Sequence, residues 1–327
     1  VKDRLFSFSL WDERENLVAI APLFITNQPS IGPFRLRRLR FFGADANVTE
    51  LRGLICNPLD EKMAVGALSK ELSKHIDKWD FMNWEGLKAP YDMAKITSTG
   101  RCVDEQVIPD FLFCPTGDYK AKLPRNVKES IRKCYNSLKR DGHRFEFRVV
   151  QGVEESANAL ECFFRLHETR AELKNTIKHG NVFASIRAKS FLREYSRSMA
   201  ERGEFRVFQL VIAGDVVASR LGFVLGDELY LYFSGYLPEW GKYSVMTTTL
   251  CEILNYASQQ QFRVVNLSPG NDVSKTRWRP EEISIHRATW LSPAPYGQLV
   301  FRAFRELERV QSSSSIATLL KPLHRQT

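Results

Sequence analysis

Residues 230–250 read YLYFSGYLPEWGKYSVMTTTL. The first seven are aromatic and apolar enough for a strand covered on both faces. Pro238 and Gly241 then interrupt the run, and Ser244 stands where an N-cap would open a helix through MTTTLCEILNYASQQQF. The first turn of that helix, at Tyr243, Ser244 and Val245, offers amides and the positive end of a dipole to an anion such as a pyrophosphate. A simple cap is the competing reading.

The pattern extends outward on both sides. FRVVNL (262–267) reads as a second buried strand, following the helix. Upstream, FQLVIAGDVVASRLGFVL (208–225) is a hairpin about Ala213-Gly214-Asp215, which with ELYLYFSGY makes a three-strand meander. Before it come helices at 154–172, with Ala157, Leu160, Phe163, Phe164 and His167 inward, and at 185–202, with Phe191, Leu192, Tyr195 and Met199 inward. After it come the strand HRATWLS (286–292) and an amphipathic helix, YGQLVFRAFRELERV, with Leu299, Val300, Phe304 and Leu307 on one side.

The same design recurs in the first half. FSLWDERENLVAIAPLFI (8–25) is a hairpin about DEREN, and EKMAVGALSKELSKHIDKW (61–79) is a helix leading into DFMNWEGL. Phe81-Met82-Asn83-Trp84 aligns with Val264-Val265-Asn266-Leu267, each followed by a glycine turn. The fold class expected is α/β (α+β), two tandem units, each a mixed twisted sheet with helices on both faces. The expected boundaries are 1–106, 107–311 and a tail at 312–327 opening on SSSS, with a linker-like stretch at 94–106. Because the chain opens on Val1 in the middle of a strand pattern, the first domain is expected to be truncated at its start.

Composition narrows the chemistry. The six cysteines include no C-x-x-C pair and the six histidines no H-E-x-x-H, so neither a metal nor a disulfide framework is expected, and a reducing cytoplasm fits. The apolar run LVAIAPLFI is nine residues, against the roughly 20 a membrane helix needs, so no membrane span is expected. The net charge is +9, and 111–148 holds ten Lys or Arg against four acids. Much of this lies on a helix from about Pro124 to Arg140, where Arg125, Lys128, Arg132 and Lys139 avoid the apolar stripe Val127, Ile131, Cys134, Leu138. Such a face suits a phosphate-bearing partner or plain solvation.

The meander, the helix opening at KYSVMTTTL, the strand RVVNLSPG and the D-x-x-K-x-x-W of Asp272, Lys275 and Trp278 together resemble the CelD-like branch of the GNAT N-acyltransferases, named for an association with cellulose biosynthesis and related to Fem-type aminoacyltransferases. The likeness is carried mainly by residues 111–290, the first half being similar to a degenerate GNAT-like domain. It implies an N- or O-acyltransferase that takes an acyl group from acyl-CoA, acetyl-CoA or longer, to an amine or hydroxyl. The acceptor would be a small molecule or saccharide, with a polysaccharide precursor as one candidate. No cofactor would be permanently bound, and DNA would not be a partner. The donor would enter beside YLYFSGY, contacting Ser234, Gly235, Tyr243, Ser244 and Val245.

The family's usual loop is Gln/Arg-x-x-Gly-x-Gly/Ala, whereas this chain has Glu239-Trp240-Gly241-Lys242-Tyr243-Ser244 and lacks the second glycine. That departure keeps open a Fem-like use of aminoacyl-tRNA and, beyond it, a non-catalytic GNAT-like binding module. Acyl transfer needs proton removal from the acceptor, stabilisation of an oxyanion and protonation of the leaving group. Asp272 is the expected base, and Lys275 the expected positive charge. Fem-type relatives implicate a lysine of this segment in handling the intermediate. Tyr232 and Tyr236 are candidate acids. Arg132, the L-H-x-x-R pair His167 and Arg170, Asn271 and Trp278 are expected to line the acceptor cleft. For each a bland reading competes: Asp272 as a turn cap, Lys275 as its partner, the tyrosines and His167 as packing.

Overall fold

The computed structural model describes residues 3–27, 30–31, 34–43, 48–50, 52–88, 101–173 and 180–312. They fall into two compact units, one from within 1–108 and 284–327, the other from 109–283.

The first unit holds β1 (Arg4–Leu5), β2 (Phe8–Trp11), β3 (Leu17–Ala21), β4 (Leu23–Thr26), the short pair β5 (Ser30–Ile31) and β6 (Phe34–Arg35), β7 (Arg38–Phe41), β8 (Ile55–Cys56), α1 (Glu61–Lys74) and β9 (Phe81–Lys88). The DEREN turn forms as expected, because the Asp12 carboxylate accepts from the Arg14 and Asn16 amides at 2.8 Å each. Beyond Pro22 the chain changes sheet: β3 pairs with β2 and β8, while β4 lies between β1 and β7. β7 runs parallel to β9.

The second unit begins within β10 (Arg101–Phe113). It continues through α2 (Tyr119–Lys122), α3 (Arg125–Arg140), β11 (Phe145–Val150), α4 (Val153–Ala171) and α5 (Ile186–Glu201) to the meander β12 (Phe205–Ile212), β13 (Asp215–Leu225) and β14 (Glu228–Tyr236). A 3-10 turn (Pro238–Tyr243) leads to α6 (Val245–Gln259), β15 (Val264–Asn266) and the short α7 (Val273–Thr276). The strand order is β10, β15, β14, β13, β12, β11, with only β14 and β15 parallel. On one face Leu250, Leu254 and Ala257 of α6 pack on Phe208, Leu229 and Leu231. On the other, Phe183 and Tyr195 meet rings of Phe223, Tyr232 and Phe233, and Phe163 packs on Phe183 behind them. The mixed sheet thus carries helices on both faces, as the pattern implied.

Several expectations shift. The strand expected at 286–292 is β16 (Glu281–Leu291), and its residues Ile285–Leu291 pair with Lys88–Phe81. Ala288 and Trp290 therefore join the core of Met82 and Trp84, so β16 and α8 (Pro295–Ser312) count with the first unit, not the second as placed from sequence. On α8, Val300 and Phe301 are buried while Leu299 is exposed, and on α5 Phe191 and Tyr195 are largely exposed, the inward stripe being Ala188, Leu192, Ser196 and Met199. The linker at 94–106 and the tail fall largely outside the described residues: 101–106 belong to β10 and Ser312 ends α8.

The repeat survives in detail. Asn83 donates from Nδ2 to Thr289 Oγ1 at 2.8 Å on its antiparallel neighbour, and Asn266 donates to Asp110 Oδ2 at 2.8 Å on its own.

α4 crosses β14 at Gly235, where a Cβ would lie 2.3 Å from the His167 amide nitrogen and 2.4 Å from the Leu166 carbonyl carbon. Both obstacles are backbone, so nothing can swing aside. Gly235→Ala is expected to destabilise the protein by about 1–3 kcal/mol or more, read as a lower denaturant midpoint. Gly66→Ala, in exposed α1 with nothing within 4 Å of the new methyl, is the control and should be neutral or stabilising by up to about 1 kcal/mol.

Candidate active site

The parallel register of β14 and β15 consists of Glu228 with Val264, Leu229 with Val265 and Tyr230 with Asn266. Among the described residues no such pair lies beyond it, yet β14 runs on to Tyr236. The two strands therefore part, leaving one edge of Leu231–Tyr236 without a strand neighbour. On the other edge β14 stays paired with β13, whose register shifts between Arg220 and Gly222, so that Leu221 stands opposite both Tyr232 and Phe233. Such a bulge re-aims the backbone of the longer strand.

Hydrogen bonds hold the polar groups on each lip of the opening. On β14, the Ser234 carbonyl meets His167 Nδ1 at 3.1 Å, and the Ser234 hydroxyl accepts from Arg170 Nη1 at 2.8 Å. The Arg170 guanidinium also lies 5.8 Å from the centre of the Tyr236 ring. Burial pulls its pKa down, while Tyr236 and Asp272 pull it up. On the β15 side, Asn266 Oδ1 accepts from the Ser268 amide at 2.7 Å, folding the chain over immediately after the last ladder pair. Lys275 Nζ then donates to the Ser268 carbonyl and hydroxyl at 3.0 Å and to the Pro269 carbonyl at 2.9 Å.

At the head of α6, Ser244 occupies the N-cap position in a left-handed conformation, φ 52°, and its side chain makes no capping bond. Its carbonyl accepts from the Thr247 amide at 2.8 Å. The expectation of a hydroxyl cap is therefore replaced by a backbone turn, in a conformation that glycine usually supplies. Arg277 reaches this first turn, donating from Nη2 to Thr247 Oγ1 at 2.6 Å. The end of the basic helix also arrives here. Tyr243 donates to Asp141 Oδ2 at 3.0 Å, and Asp141, held down at about 2 chiefly by Arg140 and then by this phenol, stays ionised. Trp240 stacks edge-on with His143 at 4.9 Å, and Lys242 sits over Tyr243.

The structure thus brings together Ser234, Gly235, Tyr236, His167 and Arg170, with Ser244 and Arg277 at the helix head. It separates others. Trp278 is 1% exposed and packs with Val265 and Leu267, and Tyr232 sits in a ring cluster 4.5 Å from Phe233, so both belong to the core and not to a surface an acceptor could touch. The side chains of Tyr243 and Val245 are likewise buried. Arg132 lies on the exposed side of α3, and Asn271 is exposed on its loop. Asp272 caps α7, accepting from the Ser274 amide at 2.8 Å. Sequence reading missed Asp110, Ser268 and Arg277; the lone charge inside the apolar run IPDFLF was the available signal for Asp110.

His167 is 5% exposed, with Nε2 lacking a partner among the described residues. Desolvation lowers its pKa from 6.5, while the Ser234 carbonyl opposes that shift. The folded state therefore holds it neutral. Above pH 6.5 both states are neutral and nothing is lost; below it the unfolded chain takes a proton that the folded one resists, so stability falls with pH. His167→Gln is expected to flatten that decline, measured by urea unfolding at pH 7.5 and about 5.5.

Residues 125–278 match the family model described as the acetyltransferase (GNAT) domain. No curated protein sequence matches the chain. Among solved structures it is similar to FemX, at 11% identity and a TM-score of 0.56 over 91% of this chain and 90% of that one. It is also similar to the C-terminal domain of a lysylphosphatidylglycerol synthetase of Agrobacterium fabrum, at 11% and 0.54 over 91% and 88%, and to L-PGS from Bacillus licheniformis, at 12% and 0.51 over 90% and 88%. At such identities the likeness concerns the fold alone. The parted strands and the helix that follows them thus lie within the stretch, residues 125–278, that is similar to the acetyltransferase (GNAT) domain.

Proposed function

We propose that the second unit transfers an acyl group from an acyl-CoA to an amine or hydroxyl acceptor, a sugar or polysaccharide precursor being one candidate. The observation that carries this reading is the parting of β14 from β15 after Tyr230 and Asn266, with the head of α6 at its end. An extended thioester arm can lie along β14 beyond Tyr230, where the parallel ladder with β15 has ended, as a strand would. Its pyrophosphate would take the first-turn amides of α6, aided by Lys242, Arg277 and the basic end of α3. The left-handed turn at Ser244 supports this despite the missing glycine.

In the reaction, the acceptor nitrogen or oxygen attacks the thioester carbonyl, its proton passing to a base. The carbon–sulfur bond breaks and the thiolate takes a proton. Asp272, whose charge raises the pKa of Arg170, is the carboxylate offered as base, and Tyr236 at the end of β14 the acid. Arg170 and Asn271 would contact the acceptor. Backbone amides of the bulged strand would stabilise the oxyanion.

A second reading is favoured by one observation: Arg125, Lys128, Arg132 and Lys139 are exposed along α3, opposite the buried Val127, Cys134 and Leu138. A row of cations leading to the donor site also suits aminoacyl-tRNA, and the folds of FemX and lysylphosphatidylglycerol synthetase are similar.

Two measurements separate these readings. Titration with CoA, acetyl-CoA and longer acyl-CoAs by calorimetry is expected to show saturable binding, weakened several-fold by Arg277→Ala; no binding to any of them would sink the acyl-CoA reading. Under the tRNA reading, RNA affinity should fall steeply with salt, and replacing Lys128, Arg132 and Lys139 by Ala should reduce the slope of log K against log salt by roughly 0.7–0.9 per lost phosphate contact.

A further inference from the structure

The geometry points to Lys275 as a positioning residue that holds the β14–β15 opening, with no part in the chemistry; this rests on the acyl-donor reading of that opening. Its ammonium donates to three oxygens of its own loop, the Ser268 carbonyl, the Ser268 hydroxyl and the Pro269 carbonyl. An ammonium has three protons, so a full set of such bonds leaves it little to offer an oxyanion. The loop it grips is the one that turns β15 away from β14. Ser268 is held at φ 71°, a conformation rare for residues other than glycine, and Gly270 at φ 105°. Each surrounding amide is also tied on the far side of the loop: Leu267 to the Phe111 carbonyl at 2.8 Å, Ser268 to Asn266 Oδ1 at 2.7 Å and Gly270 to the Pro109 carbonyl at 2.9 Å. Asn266 is in turn anchored to buried Asp110.

Without the lysine, the carbonyls of Ser268 and Pro269 would be two strong acceptors at the mouth of the opening. A backbone free to relax from the left-handed turn would carry them toward β14 beyond the last rung of the parallel ladder. The first unit shows the alternative. Its parallel strand β9 carries the corresponding Asn83, but Asn83 Oδ1 is taken by Arg38 Nε at 2.6 Å, and β9 runs eight residues without turning away. The stretch Asn83–Asp92, NWEGLKAPYD, has no D-x-x-K-x-x-W.

The test compares Lys275→Met, Lys275→Arg and the milder Ser268→Ala with the parent chain. Three quantities are read: amide exchange at 267–270, affinity for CoA itself, and the pH profile of kcat/KM with acetyl-CoA. Lys275→Met is expected to speed exchange of the Ser268 and Gly270 amides and weaken CoA binding by about 10–100-fold, since bonds from a charged donor are lost. The pH profile should fall in height and keep its shape. Lys275→Arg should restore part of both losses, and Ser268→Ala should move them the same way by less; if Lys275→Met does not fold, Ser268→Ala decides. Exchange and CoA affinity within twofold of the parent, with kcat down 100-fold or one limb of the pH profile gone, would overturn the proposal and put the lysine at the reacting atoms. If the parent chain binds no CoA, the donor reading fails, yet the exchange comparison still decides whether Lys275 holds the turn.

Discussion

The last rung of the parallel ladder, Tyr230 beside Asn266, is the constraint from which the site follows. Two strands that separate inside a sheet leave donors and acceptors that must find other partners, because each unpaired buried group costs about 1–3 kcal/mol. On the β15 side these partners come from Asn266, Lys275 and the carbonyls of β10. On the β14 side His167 takes the Ser234 carbonyl, and the rest of that edge is left for whatever lies along it. The opening is thus a built feature, with its cost offset by named bonds.

The helices are fitted to that opening by contacts that allow little variation. α4 can present His167 and Arg170 to Ser234 only because Gly235 lets its backbone approach β14 to near-contact. α6 starts where it does because the 3-10 turn ends in a left-handed Ser244, and Tyr243 ties that turn to Asp141 at the end of α3. Arg277 joins the β15 loop to the first turn of α6. Positive charge consequently gathers at the helix head, where its field adds to that of the helix dipole.

The two halves show how one design diverges. Both keep a hairpin, a helix, a parallel strand and an asparagine that bridges to the next antiparallel strand. They differ in what the asparagine oxygen does: in the second unit it folds the chain over at Ser268, and in the first it is occupied by Arg38. One side-chain partner thus separates a strand that continues from one that turns away.

Much of this architecture was legible in the residues themselves. The change of period at Ser244, the meander, the repeat around Asn83 and Asn266 and the apolar stripe of α3 are local patterns, set by propensity and by which face each residue presents. Such patterns specify elements and their order. They could not say that β16 leaves the second half to pair with β9, since pairing between distant strands depends on which buried face remains to be covered. They ranked Tyr232 with the reactive groups and Trp278 with the acceptor cleft, although both side chains are buried in the core. They also marked Lys275 as notable without showing what its ammonium would meet. The sequence by itself determined a duplicated α/β chain with a strand, turn and helix suited to an anion. Only the tertiary structure decided where the strands part and which side chains hold them apart, because those contacts join residues that are neighbours in space and not along the chain.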